Sequence, residues 1–262
     1  MPCRQRTQVA CAPVDQERLT AAEEIAEQAG AAALEAFATG VGAVRTKGSQ
    51  HNLVTETDER IERLIAARIA VRFPDDGFMG EEGTSDRPSH SGLTWAADPV
   101  DGTWNFANGL PHWCVVISCA DADGPLVGVT LDPSRGELWS AVRGGGGLRL
   151  GGAPAPPRPQ REPVDSTWAA ALGRLFAEQR WMRLRGNIGP IRITGSLGLD
   201  LAWTAAGRFG ALAYTCSLHP WDVWAGELMA REQGLEVRKE PDNRVLLVTP
   251  AGWAQELGVD EA

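Results

Sequence analysis

The stretch Asp98-Pro99-Val100-Asp101-Gly102-Thr103-Trp104-Asn105-Phe106 follows the short apolar run Thr94 to Ala97, which reads as a strand. Asp98 ends that strand, Pro99 fixes the backbone, and Asp101 comes one turn later, so both carboxylates can converge on one point. Carboxylate and carbonyl oxygens are the hard donors that Mg2+ prefers. Gly102 and Thr103 then fall at the expected N-terminus of a helix, where free amide N–H groups and the dipole favour an anion. A metal pair beside an amide cradle suits a phosphate better than it suits a sugar or a carbonyl.

Working outward, two further segments combine acids with turn residues: Gly80-Glu81-Glu82-Gly83, and Trp221-Asp222-Val223-Trp224-Ala225-Gly226 at the start of a helix. Each piece alone has an ordinary reading. Asp101-Gly102 is a turn, Glu81-Glu82 a solvated face or helix cap, and Asp222 an N-terminal helix charge. Three such segments in one chain, one of them nine positions long, favour a shared acidic site.

The surrounding elements divide by their periodicity. Asp15 caps a helix running towards Phe37, whose Leu19, Ala22, Ala26, Ala29 and Ala33 form a close-packing face. A second helix follows Thr57, with Ile61, Leu64, Ile65 and Ile69 on one side, and ends before Pro74. Strands are expected at Thr94–Ala97, Trp113–Ala120, Leu126–Leu131 and Glu137–Val142. Gly144 to Gly147 reads as a turn and is no P-loop, because no Gly-Lys-Ser/Thr follows. Pro154 to Pro163 holds five prolines and marks a junction or surface crossing. Beyond it, Ser196 caps a helix closing at Gly207, and Ala211–Tyr214 is a strand. Trp221–Gln233 is a helix stopped by Gly234, Val245–Val248 is a strand, and a short helix lies near Trp253. The fold class is α/β: a loose leader over 1–14, an α+β half over 15–153, and an α/β half over 164–262.

Composition narrows the function. The 262 residues are 43% hydrophobic and 23% charged, an ordinary globular balance. Lys and Arg total 25 against 34 Asp and Glu, for a net charge of −9. That excludes a general nucleic-acid binder, which needs clustered cations, but not a phosphorylated substrate held through metal ions. The five cysteines include no C-x-x-C pair, so a reducing cytoplasm is expected rather than a disulfide framework. No stretch reaches the roughly 18 apolar residues of a membrane span. Trp95, Trp113, Trp139 and Trp203 read as core, while Trp104, Trp221 and Trp224 flank the acidic segments.

These motifs, in this order, resemble the inositol monophosphatase family of Mg2+-dependent, often lithium-sensitive phosphatases. The family's G-E-E, D-P-[IV]-D-G-T-x-N-F and W-D-x-x-A-G elements correspond to Gly80–Glu82, Asp98–Phe106 and Trp221–Gly226. Leu53-Val54-Thr55-Glu56-Thr57-Asp58 resembles its L-V-T-x-x-D element, with Lys47 shortly upstream. The resemblance implies a layered αβαβα sandwich of the inositol monophosphatase and fructose-1,6-bisphosphatase type, and a homodimer. It also implies two or three Mg2+ ions, with Mn2+ as a substitute. One ion would lie on Glu81, Asp98 and the Val100 carbonyl, a second on Asp98, Asp101 and Asp222, and a weaker third near Glu81. Asp58 and the Thr103 hydroxyl would orient and deprotonate the attacking water, assisted by Glu81. The Gly102 and Thr103 amides would bind phosphate, and Lys47 would support the metal cluster.

Departures bear on the substrate. Trp104 stands where the family usually has a second threonine. Inositol-specific members carry an acid seven positions before the W-D aspartate, where this chain has Thr215. Gly195-Ser196-Leu197 resembles the family's G-[ST]-A, with Leu197 replacing the small residue that flanks substrate, so Ser196, Leu197 and Thr215 are the candidate pocket residues. The expected activity is a phosphomonoesterase acting on an inositol, cyclitol or sugar phosphate. A nucleoside monophosphate phosphatase and a histidinol-phosphate phosphatase are the alternatives. A reading of another class, an inactive metal- or phosphate-binding regulator, is opposed by the presence of every expected ligand.

Overall fold

A computed structural model describes residues 13–46, 53–171, 187–215, 217–240 and 245–257. The leader up to residue 12 and Lys47 therefore lie outside the described residues, as does Cys216. The first helix, α1, spans Pro13–Thr39. Its first residue is a proline, tolerated there because the first-turn N–H groups have no helical partner. Asp15 thus sits inside the first turn rather than capping it, and the helix begins two residues ahead of the expected boundary.

After the small hairpin β1 (Val44–Thr46) and β2 (Leu53–Thr55) comes α2, Glu56–Arg72. Thr55 caps α2 through a reciprocal box: its hydroxyl oxygen accepts from the Asp58 N–H, and the Asp58 carboxylate accepts from the Thr55 N–H at 3.0 Å. Such a cap stabilises a helix by about 1 kcal/mol. Here it also fixes the carboxylate of a candidate catalytic residue.

Among the described residues the larger sheet has seven strands in sequence order: β3 (Gly77–Gly80), β4 (Thr94–Asp101), β5 (Cys114–Asp121), β6 (Gly124–Asp132), β7 (Glu137–Val142), β8 (Arg149–Leu150) and β9 (Ala153–Pro154). Only β3 and β4 run parallel; the other neighbours are antiparallel. The five-residue helix α3, Thr103–Ala107, follows β4 directly. The second sheet orders as β11-β10-β12-β14-β13, from β10 (Trp168–Ala171), β11 (Ile191–Arg192), β12 (Ala211–Thr215), β13 (Glu236–Lys239) and β14 (Val245–Thr249). Among the described residues, the helices of this half are α4 (Leu197–Ala205), α5 (Pro220–Glu232) and the short α6 (Trp253–Glu256).

Strand alternation builds the layers. Val115, Ile117 and Cys119 of β5 point into one core with α1 and α2, while Cys114 and Val116 point into another with Leu199, Ala225 and Met229 of α4 and α5. On their far side α4 and α5 pack Leu201, Val223 and Ala230 against Leu212, Tyr214 and Val248 of the second sheet. The outer face of that sheet packs Trp168 and Leu247 against Trp253 and Ala254. The order is helix, sheet, helix, sheet, helix. Both faces of both sheets are covered, as the runs of buried residues in β4, β5 and β6 require. The alanine face of α1 is fully buried, and a side chain at Gly30 would overlap Leu131, so α1 lies close on β6. Trp95, Trp113 and Trp139 are core, whereas Trp203 is half-buried with Arg135 and Arg208 over its ring.

Candidate active site

The acids gather where β3 and β4 end. Their parallel register sets Gly80 opposite Ala97, so the next residues, Glu81 and Asp98, emerge side by side. The Glu81 N–H donates to the Ala97 carbonyl at 3.2 Å and pins the turn there. Sites at the carboxyl ends of parallel strands are common for this reason. Asp98 does not end the strand as expected. β4 continues to Asp101, and its pairing with β5 slips between Asp98–Val116 and Asp101–Cys114. Three steps on β4 oppose two on β5, a bulge at the proline that cannot donate to the ladder. The bulge re-aims both aspartates.

Asp98 is buried, and its carboxylate accepts the Val100 N–H at 2.9 Å. Burial pushes its carboxyl well above the ordinary value, and the neighbouring Glu81, Asp101 and Asp222 carboxylates push it further. Asp101 faces the N-terminus of α4. It accepts the N–H groups of Leu197 at 3.2 Å and Gly198 at 2.8 Å, the Cys114 thiol at 3.4 Å, and the Ser196 hydroxyl. Burial raises its carboxyl, and these donors partly offset that. Ser196 holds the cap position of α4, but its hydroxyl serves Asp101 rather than its own helix. A side chain at Gly198 would come within 2.6 Å of Val116, so the close approach of α4 needs glycine.

Asp222 arrives on α5. Pro220 fits the first turn, and the Asp222 carboxylate accepts the His219 N–H at 2.8 Å. Burial pushes its carboxyl up to about 7, an effect the His219 bond opposes and Asp101 augments. The rest of the W-D-x-x-A-G element is packing. The Ala225 backbone lies 2.7 Å from where a Cβ on Gly128 would stand, and a Cβ on Gly226 would overlap Leu201. These small residues let α5 lie against both β6 and α4, which brings Asp222 within electrostatic reach of Asp98.

Thr103 opens α3 and donates its hydroxyl to the Val100 carbonyl at 3.2 Å. Gly102, at φ +95°, caps that helix; a Cβ there would meet the His112 carbonyl at 3.1 Å and Gly195 at 3.3 Å. Asn105 ties this cradle together, donating to the carbonyls of His112 at 2.6 Å and Thr194 at 2.9 Å. Thr194 in turn donates to buried Asp200 at 2.6 Å, as does Tyr214 at 2.7 Å, bracing the loop that carries Ser196. Neither Asn105 nor Asp200 is among the site residues expected from sequence. Asn105 lay inside the nine-residue element, while the partners of Asp200 are brought to it only by the fold.

Leu197 does not stand at an open wall: it is 7% exposed and packs among Leu201, Tyr214 and Val223. Its N–H, not its side chain, reaches the site. Thr215 ends β12 and is buried. Trp104 is half exposed, and Trp221 stacks on His219 with ring centroids 4.8 Å apart.

As they stand, no three His, Cys, Asp or Glu side chains among the described residues close tightly around one point. The fit to a hard divalent cation lies instead in the donor chemistry and electrostatics. The groups that press most on Asp98 among the described residues are carboxylates, and like charges so placed need a cation between them. Asp98, Glu81 and Asp222, with Asp101 and the Val100 carbonyl, offer only oxygen donors.

The chain is similar to proteins of known sequence and structure. Among curated sequences, an inositol-1-monophosphatase of Rhizobium meliloti is 36% identical over 191 residues, covering 69% of this chain and 70% of the relative. A Nus factor named SuhB from Escherichia coli K12 is 36% identical over 200 residues, with 72% of each chain covered. Among solved structures, the extragenic suppressor protein suhB of Bartonella henselae superposes with a TM-score of 0.83 at 26% identity, covering 92% of this chain and 96% of that one. No helix among the described residues is long and apolar enough to cross a membrane. The family model described as "Inositol monophosphatase family" matches residues 15–252, and the chain belongs to that family.

Proposed function

We propose that this chain is a Mg2+-dependent phosphomonoesterase acting on a small phosphorylated alcohol. The observation that carries the reading is Asp98, buried and pressed by the carboxylates of Glu81, Asp101 and Asp222. Glu81, Asp98 and the Val100 carbonyl would hold one ion and Asp98, Asp101 and Asp222 another. When bound, the ions would supply an acidified water and a counter-charge for the leaving oxygen. The chain does the rest. Asp58, fixed by its capping box, accepts the proton of the attacking water, and the Thr103 hydroxyl orients it. The Gly102 and Thr103 amides, at the left-handed start of α3, would hold phosphate oxygens. Glu81 completes the water's surroundings. A homodimer is part of the same reading, checked by light scattering.

The leading substrate class is a cyclitol or sugar phosphate. The second reading, a nucleoside monophosphate, is favoured by Thr215, which cannot accept ring hydroxyls as a carboxylate does. A phosphate-release screen across inositol phosphates, sugar phosphates, histidinol phosphate and nucleoside monophosphates, with Mg2+ and with chelator, tests both. Mg2+-dependent release is expected. Release from none of them, or release indifferent to chelation, rejects the reading. A clear preference for myo-inositol 1-phosphate would count against the nucleotide reading drawn from Thr215.

A further inference from the structure

Glu62 is fully buried on α2, one helical turn after Asp58, on a face that continues with Ile61, Ile65, Ala66 and Ile69. A carboxylate in such a stripe carries a desolvation cost that its partners must offset. Among the described residues those partners lie in the turn after β3. Its Oε2 accepts the Glu82 N–H at 2.7 Å; its Oε1 accepts the Thr84 N–H at 2.7 Å and the Thr84 hydroxyl at 2.6 Å. Gly80 lies directly beneath, and any Cβ there would overlap the Glu62 carboxylate. Both oxygens therefore grip the backbone on the far side of Glu81, while β4 holds the Glu81 N–H on the near side.

We propose that Glu62 is a positioning residue that clamps the Gly80–Thr84 turn and so sets the Glu81 carboxylate for cation binding. The inference rests on the metal reading above. One helix then carries both the residue that accepts the water's proton and the residue that aims a ligand, so the two are held in fixed relation. Gly80 is the complement of Glu62: an added methyl displaces the carboxylate from the amides it holds.

Calorimetric titration of Mg2+ into the metal-free chain, with thermal melts of the same samples, tests the clamp. Glu62→Gln keeps the shape but turns an N–H group towards a donor, and its Kd for Mg2+ is expected to rise about 10- to 100-fold. The Mg2+ needed for half-maximal phosphate release should rise in parallel, with kcat at saturating Mg2+ changed only a few-fold. Thr84→Val, at an exposed position, should raise Kd about 2- to 5-fold. Gly80→Ala should reproduce Glu62→Gln, and the double variant should be no worse than either single one. A folded Glu62→Gln with the parent's Kd overturns the proposal. Should that variant not fold, a Thr84→Val Kd equal to the parent's overturns it instead. A parent chain that binds no Mg2+ removes the metal reading and the clamp together, whereas Mg2+ binding by the parent and all variants alike removes the clamp alone.

Discussion

Asp76 and Asp98 sit at opposite ends of the same pair of parallel strands, Asp76 just before β3 and Asp98 near the end of β4, and they are 2% and 3% exposed. Their surroundings are opposite. Asp76 receives the Arg18 guanidinium at 3.1 Å, the Trp95 indole N–H at 2.9 Å and the Ser91 hydroxyl at 2.6 Å. Asp98 is pushed up first by burial and then by other carboxylates, and among the described residues the charged groups that act on it are acids. One end of the strand pair neutralises its buried acid from within, tying α1 to the sheet. The other end gathers acids that repel one another. A buried charge with its own counter-ion is a structural feature, and one whose neighbours are like charges is prepared for a cation from outside.

The largest effect separating the two ends should come from Asp98→Asn. Phosphate release in Mg2+ is expected to fall by roughly 10²–10³-fold or more, since transition-state charge loses its counter-ion. The metal-free melting temperature should hold or rise, because a repelling charge is gone; a clear fall would place Asp98 with Asp76 as a structural acid. Asp76→Asn should do the reverse. Removing one member of a buried ion pair costs about 3 kcal/mol, read in urea unfolding, while kcat below the transition stays within a few-fold.

A smaller effect is expected from Gly128→Ala, where a methyl would meet the Ala225 backbone. Overpacking there should cost about 1–3 kcal/mol and lift α5, weakening Mg2+ binding several-fold. Loss of stability without any change in Mg2+ affinity would show that the close packing of α5 does not position Asp222. The smallest effect is on pH dependence. Asp222 is pushed up to about 7 from an ordinary 3.8. Between these values the folded chain keeps protons that the unfolded chain has released, so metal-free stability should fall as pH rises through the window. Saturating Mg2+ should flatten or reverse that slope in urea melts at pH 5.5 and 7.5. An unchanged slope would mean that the cation does not meet these carboxylates.

Much of this site was legible in the chain because its acids lie in short, continuous segments beside glycine and proline. Asp98, Asp101, Glu81 and Asp222 could be named from such segments, and the α1 face from its three- and four-residue spacing. What escaped depends on distant partners. Glu62 looks like one more helix acid until the turn it grips is folded against it, 20 residues away for Glu82. The parallel register that sets Glu81 beside Asp98 involves β3, four residues bounded by glycines, too short for a strand pattern. The place of Leu197 in a motif points it at substrate, but its burial depends on packing between α4 and the second sheet. Local chemistry makes Ser196 a cap, and it holds that position, but Asp101, 95 residues earlier, takes its hydroxyl.

The most direct test is a thermal melt at pH 7.5 with MgCl2 titrated into the chelator-stripped chain and its Asp98→Asn and Asp76→Asn variants. A ligand that binds only the folded state raises its melting temperature by mass action. The account predicts a Mg2+-dependent rise for the parent, the same rise from a lower starting point for Asp76→Asn, and little or none for Asp98→Asn. A parent that does not respond to Mg2+, or an Asp98→Asn variant that responds as fully as the parent, would contradict it.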